Sequence, residues 1–301
     1  MENHEIISNP SLGSDVLTQR ILVATKDAGG CNAVLPVAQR ISQAGYQLLS
    51  LAEGPAIGLL ERALLPAKEF GQLDGLSSLF DDFRPCLALV ANSWGQNLEP
   101  GDEVLITEME HHSNIIPWQI LSQKTGAELR YIPISDNGEL ILDNLNQIID
   151  SNTKIVSIIH QSNVFGTINP IEKIILVAKN NGALTLVDAA QSVAHQVIDV
   201  EKINCDFLVF SGHKMLGPTG VGCLYVKEEL FEKLEPYQTG GQMIDKVNLY
   251  NSTWNDIPFR YEAGTPNIAG VIGLGSALDY LQKMGLETIK THNDLIKEYC
   301  L

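Results

Sequence analysis

The chain is short of positive charge: 20 Lys and Arg stand against 36 Asp and Glu, a formal net charge of −16. A surface with that balance repels phosphate backbones, which argues against nucleic acid as a partner. No uncharged apolar stretch is long enough to span a bilayer, and MENHEIISNPSLGSD lacks the basic and apolar regions of a signal peptide. The expectation is a cytoplasmic protein with no membrane partner. Cysteine is scarce too. The five (Cys31, Cys86, Cys205, Cys223, Cys300) are an odd number at irregular spacing without a CxxC pair, and they suggest neither a disulfide framework nor a zinc site. Internal repeats and low-complexity tracts are absent.

What is present is an ordinary globular composition, 45% hydrophobic and 19% charged, over 301 residues. That length suffices for one large α/β domain or two smaller ones. Residues 1–19 are polar and aperiodic and read as a loose leader. From Arg20 the pattern is strand (Ile21 to Ala24), turn-rich KDAGGCN, helix up to Gly45 and strand (Tyr46 to Leu51), a βαβ unit expected to be parallel. After a helical stretch around residues 57–65, LSSLFDDFRPCLALVA reads as helix, Pro-marked turn and strand. Strands then follow at Val104 to Thr107, Leu129 to Pro133, Ile155 to His160, Ala183 to Val187, Phe207 to Phe210 and Gly222 to Val226. Helices are expected from about Pro117, near Leu142 to Ile149 and over Ile171 to Asn180. The rhythm predicts an α/β fold with a doubly wound, mostly parallel sheet, in which ligands bind outside the carboxyl ends of the strands.

Chemistry-bearing residues fall at those ends. SGHKMLGPTG follows strand FLVF and puts Ser211, His213 and Lys214 on one Gly-flanked turn: two phosphate donors beside an amine, as a Schiff-base lysine requires. The alternative for these residues is a surface turn with a solvated lysine. In LVDAAQ, Asp188 can pair with the pyridinium nitrogen of pyridoxal 5'-phosphate (PLP) and Gln191 can reach its phenolic oxygen. A helix N-cap is the plainer role for Asp188, and both can hold. His111 of TEMEHHSN can lie flat on a cofactor ring; with no HxH or HxxxH partner, stacking is favoured over a metal role for His111 and His112. Asn163 of HQSNVFGTINP can bond the cofactor's O3′ or serve as a satisfied loop amide.

Taken together, VANSWGQNLEPGDEVLITEMEHHSNIIPWQ, HQSNVFGTINP, LVDAAQSVAH, CDFLVFSGHKMLGPTGVGCLYVKEELFEKLEPYQTGGQMI and FRYEAGTPNIAGVIGLGSALDYL closely resemble the SufS-like cysteine desulfurases and selenocysteine lyases, of the class V aminotransferase fold. The resemblance covers about residues 90 to 301 and about half of a full-length family member. It implies a PLP-binding large domain over 91–301, with Lys214 as cofactor lysine and proton shuttle and His111 stacked on the ring. It also implies Asp188 at the pyridine nitrogen, Gln191 and Asn163 near O3′, and Ser211 and His213 on the phosphate. Thr265 of AGTPN would reach the phosphate of a partner subunit in a homodimer. The implied reaction takes sulfur from L-cysteine, or selenium from L-selenocysteine, leaves alanine, and passes a persulfide to an acceptor protein for iron–sulfur cluster assembly.

Two family elements are missing from the resemblance: the N-terminal loop whose helix cups the phosphate, and the small C-terminal domain with the sulfur-accepting cysteine and the carboxylate-clamping arginine. None of the five cysteines matches that thiol. Cys205 and Cys223 read as buried small hydrophobes. Residues 20–90 resemble, more weakly, the first βαβ units of GT-B glycosyltransferases or sugar-nucleotide epimerases. Two other readings therefore stand beside the desulfurase: a non-catalytic relic that at most binds PLP, and a nucleotide-sugar binding module. The change in resemblance near Leu89 to Ala91 falls inside an expected strand, which predicts no flexible linker there for a protease to cut.

Overall fold

The computed structural model describes residues 84–300, together with the backbone of three earlier strands. Contacts divide the chain into two units, Met1–Leu76 and Ser77–Leu301. In the first unit β1 (Arg20–Thr25) pairs in parallel with β2 (Gln47–Ala52), as the βαβ reading expects, and β2 with a short β3 (Ala67–Glu69) that it did not anticipate. The leader and the helices expected around residues 34–45 and 57–65 lie outside the described residues.

The second unit opens with a correction. CLALVA, expected as a strand, lies inside the helix α1 (Arg84–Ser93). A short apolar run does not by itself distinguish a strand from a buried helix. The deciding signal is that Leu87, Val90 and Ala91, spaced i, i+3, i+4, are all fully buried, and Pro85 sits in the first turn, where its missing N–H costs nothing.

Six strands form the main sheet: β4 (Glu103–Thr107), β5 (Glu128–Ile132), β6 (Thr153–Ile159), β7 (Leu184–Asp188), β8 (Phe207–Ser211) and β9 (Gly222–Val226). Their order is β5-β4-β6-β7-β8-β9. Every pair is parallel except β8 with β9, so the expected doubly wound, mostly parallel sheet is observed. The chain leaves β4 for β5 on one side and returns for β6 on the other, which makes the β4/β6 junction the topological switch point.

The central strands are near-continuous apolar runs because both faces are covered. Val104, Ile106, Ile155, Leu186, Phe207 and Val209 face a core shared with α1 and α2 (Ile116–Thr125). Leu105, Val156, Ile158, Val187 and Leu208 face the opposite core, with α3 (Ile171–Asn180) and α4 (Ile268–Met284). α3 buries Ile171, Ile174, Ile175 and Ala178, a helical stripe whose bounds match the sequence reading. The helix expected at Leu142 to Ile149 shrinks to one turn, Leu145–Ile148, in a stretch whose Asp143, Asn144 and Asn146 favour turns over helix interiors. A β-hairpin of β10 (Ile244–Val247) and β11 (Ser252–Trp254) precedes α4, and α5 (Leu286–Cys300) follows it. Among the described residues no helix is long and apolar enough to cross a membrane.

Phe207 is fully buried at the centre of the first core. Phe207→Ala is expected to cost about 3–5 kcal/mol, read as a lower midpoint in chemical denaturation with an unchanged slope.

Candidate active site

Because β4, β6, β7 and β8 run parallel, their carboxyl ends open on one edge of the sheet. Asp188 is the last residue of β7, in register with Ile159 of β6 and Val209 of β8, and only 1% exposed. Its Oδ1 accepts the Ala190 N–H at 2.9 Å, and since a turn rather than a helix follows β7, this is a turn bond and not the helix N-cap weighed from the sequence. Burial pushes its carboxyl up to about 6, while the Ala190 N–H and the positive charge of Lys214 pull it down. Asp188 ends β7 and Lys214 lies on the turn that follows the neighbouring β8, near enough for its charge to act on the carboxyl.

Ser211 ends β8, and its buried Oγ has no hydrogen-bond partner. A buried hydroxyl left unpaired costs roughly 1–3 kcal/mol, so this position suits a ligand that supplies the missing partner. Lys214 follows on the 3-10 turn Gly212–Met215, half-buried, with His213 exposed beside it. Two backbone bonds fix the turn: Gly212 N–H to Val221 O at 2.8 Å and Gly217 N–H to Gly212 O at 3.0 Å. A Cβ on Gly217 would lie 2.8 Å from Gly212 O and 2.9 Å from Leu274 Cδ1. Gly217→Ala is accordingly expected to displace the Lys214 turn and to weaken ligand binding at this edge at least tenfold, on the scale of a misplacement of about 1 Å. Titration of a bound ligand checks this against a thermal melt.

His111 arrives from the β4 loop. Its Nδ1 accepts the Ser113 N–H at 3.3 Å and lies 2.6 Å from Ser113 Oγ, which orients the ring. The His112 ring is tilted against it, centroids 5.8 Å apart. Gln191 is half-buried three residues beyond Asp188. Asn163 is exposed on a turn closed by Gly166 N–H to Ser162 O. Thr265 is exposed just before Asn267, the N-cap of α4, whose Nδ2 donates to Gly220 O at 3.0 Å. The sheet thus brings Asp188, Ser211 and Lys214 to adjacent strand ends and His111 to the same edge, with Asn163 and Thr265 on separate surface loops.

One buried group escaped the sequence reading. Glu110, beside His111, is 6% exposed, and its carboxyl is pushed up to about 8 by burial and by the charge of Asp188, against donors on Thr107, Ile159 and Asn114. Both carboxyls are raised, so folding favours their protonated forms. The stability this contributes is complete below the ordinary carboxylate range and is lost as pH rises through the folded values. The apo chain is expected to lose stability between 4.5 and about 8, and Glu110→Gln to flatten the upper part of that loss, in denaturant titrations at stepped pH.

Among the described residues the thiols of Cys86, Cys205 and Cys223 are not poised for attack: burial pushes Cys86 up to about 12 and Cys205 up to about 11, and raises Cys223. Among the described residues no three His, Cys, Asp or Glu side chains are grouped to hold a metal ion.

A buried aspartate ends β7, an unpaired buried hydroxyl ends β8 and a half-buried lysine follows on the next turn, all at the carboxyl edge of a doubly wound α/β sheet, the edge where ligands bind in such folds. The sequence model described as aminotransferase class-V matches residues 85–301, and the chain belongs to that family. It is 52% identical over 214 residues to a probable cysteine desulfurase of Halalkalibacterium halodurans, covering 71% of this chain and 53% of that protein. It is 50% identical over 215 residues to a cysteine desulfurase of Salmonella choleraesuis, at the same coverage. The apo structure of a cysteine desulfurase from Thermococcus onnurineus superposes with a TM-score of 0.69 at 40% identity, covering 72% of this chain and 55% of that one. The chain spans about half the length of the curated relatives it matches.

Proposed function

We propose that this chain carries the PLP-binding large domain of a cysteine desulfurase, which takes sulfur from L-cysteine and leaves L-alanine. The observation that carries the reading is the convergence of Asp188, Lys214 and the unpaired Ser211 Oγ at neighbouring strand ends, in a chain about half identical to named desulfurases over its matched part. These residues fit PLP: an amine for its aldehyde, a carboxylate for its ring nitrogen and a donor for its phosphate. When bound, PLP supplies the electron sink that stabilises negative charge at the substrate's Cα.

The chain's own residues then have distinct work. Asp188 would hold a proton at the ring nitrogen, Lys214 would supply the amine for the aldehyde and move the substrate's Cα proton, and His111 would lie against the ring. Ser211 and His213 would hold the phosphate, Gln191 and Asn163 the O3′ side, and Thr265 would reach the phosphate of a partner subunit in a homodimer. The overall change balances as L-cysteine plus an acceptor thiol giving L-alanine plus the acceptor's persulfide, with the thiol proton ending on the alanine methyl group. The acceptor is a thiol on a further part of the enzyme or on a partner protein, consistent with the raised thiols of Cys86, Cys205 and Cys223. In this reading the Rossmann-like segment expected over residues 20–90 ends before α1, whose Leu87 and Val90 belong to the core of the second unit, and the protein works in the cytoplasm.

The test is alanine release from L-cysteine by the PLP-loaded chain with an added small thiol. Alanine and persulfide in equal amounts support the reading. PLP bound without alanine release, with the thiol supplied, reduces the chain to a cofactor-binding protein.

A further inference from the structure

Glu110 is a buried carboxyl to which the proposed chemistry assigns nothing. Its Oε1 accepts from Thr107 Oγ1 at 2.7 Å and from the Ile159 N–H at 2.8 Å, and its Oε2 from Asn114 Nδ2 at 2.6 Å. Thr107 Oγ1 itself accepts the Met109 N–H at 3.3 Å, so its own proton is directed at Glu110. Asn114 Oδ1 accepts from Trp118 Nε1 at 3.0 Å and from Ser157 Oγ at 2.7 Å, which leaves its amide group turned to Glu110. Trp118 is fully buried and its indole only donates, so the order of the network is fixed from that end.

We propose that Glu110 is a positioning residue: its carboxyl ties the His111 loop to β6 and α2 across the switch point and sets a second buried acid beside Asp188. The inference rests on the PLP reading given above. The loop leaving β4 has no ladder partner beyond Thr107 and Ile132, and Glu110 supplies the side-chain attachment that carries it over the end of β6. His111, the next residue, is held where that attachment places it. The charged group facing Glu110 is Asp188 of β7, itself within reach of the charge of Lys214 on the β8 turn. The neutral donors to Glu110 are the Ile159 N–H of β6, the Thr107 hydroxyl at the end of β4 and the Asn114 amide on the 3-10 turn before α2, with Ser157 and Trp118 behind Asn114 and His160 the next titratable group after β6.

The experiment is a pair of pH titrations on wild type, Glu110→Gln and Thr107→Val. In the apo chain, the Ile159 amide and the Trp118 indole N–H are followed by NMR. In the PLP-loaded chain, the visible band is followed. Wild type is expected to show one shared midpoint for the two N–H signals, well above the ordinary glutamate range. Thr107→Val, which removes a donor to the carboxylate and keeps the shape, moves that midpoint up; Glu110→Gln removes it. In the loaded protein Glu110→Gln moves the band's midpoint to lower pH by roughly half a unit or more, because a negative charge that favours protonated forms nearby is gone. Separate or absent N–H midpoints in wild type overturn the inference even where Glu110→Gln does not fold, as does a folded Glu110→Gln with an unchanged band. Failure of wild type to bind PLP overturns the functional reading instead, while the apo titrations still report on the network.

Discussion

Lys214→Ala is expected to abolish covalent attachment of PLP and to lower alanine formation on the order of 10^4-fold or more, the scale of removing a covalent nucleophile that also moves a proton. Lys214 is half-buried on a turn fixed by backbone bonds of Gly212 and Gly217, so its removal leaves the turn's own supports in place. Folding stability should fall by about 0.5–3 kcal/mol, because the charge that pulls the buried Asp188 carboxyl down is lost. The visible spectrum with PLP, gel filtration to remove loose cofactor, and a thermal melt separate these outcomes. A variant that keeps a gel-filtration-stable band would move the covalent role to another lysine.

Asp188→Asn is the second large effect, and it has two opposite parts. The amide oxygen can still accept the Ala190 N–H, so the turn survives. The charge near Lys214 and at the ring nitrogen does not. Loss of a carboxylate that would hold a proton at the reacting group is expected to slow turnover about 10^2–10^4-fold. The apo protein should behave the other way. Burial raises the Asp188 carboxyl to about 6, so the ionised form opposes folding above that pH, and the neutral amide relieves the opposition. Slower turnover with a more stable apo chain at alkaline pH is the expected combination; a loss of both would mean that Asp188 acts only as a turn residue.

The fold was readable where burial leaves a period in the sequence. α3 shows it in Ile171, Ile174, Ile175 and Ala178, and β9 was found with its observed bounds because an apolar run sits between the turn SGHKMLGPTG and the charged KEEL. CLALVA misled because six apolar residues satisfy a buried strand as well as a helix, and only the packing of Leu87, Val90 and Ala91 on one face decides. The places of Asp188 and Lys214 were legible because Asp188 ends its own strand and Lys214 lies on the turn just after the next, so local sequence reports their position. Glu110 was not. In EMEHH it reads as one more acid in an acidic protein, and its burial depends on the strand order β4-β6-β7, which brings Ile159 and Asp188 over it from segments about 50 and 80 residues away. No local pattern carries that information.

The most direct test of the account is where PLP attaches. The purified chain is incubated with PLP, reduced with borohydride, digested, and its peptides weighed. The account predicts one pyridoxyl phosphate adduct, on the peptide carrying Ser211 to Lys214 and on Lys214 itself. An unmodified Lys214 in a folded chain, or adducts scattered over surface lysines at the same level, would contradict it.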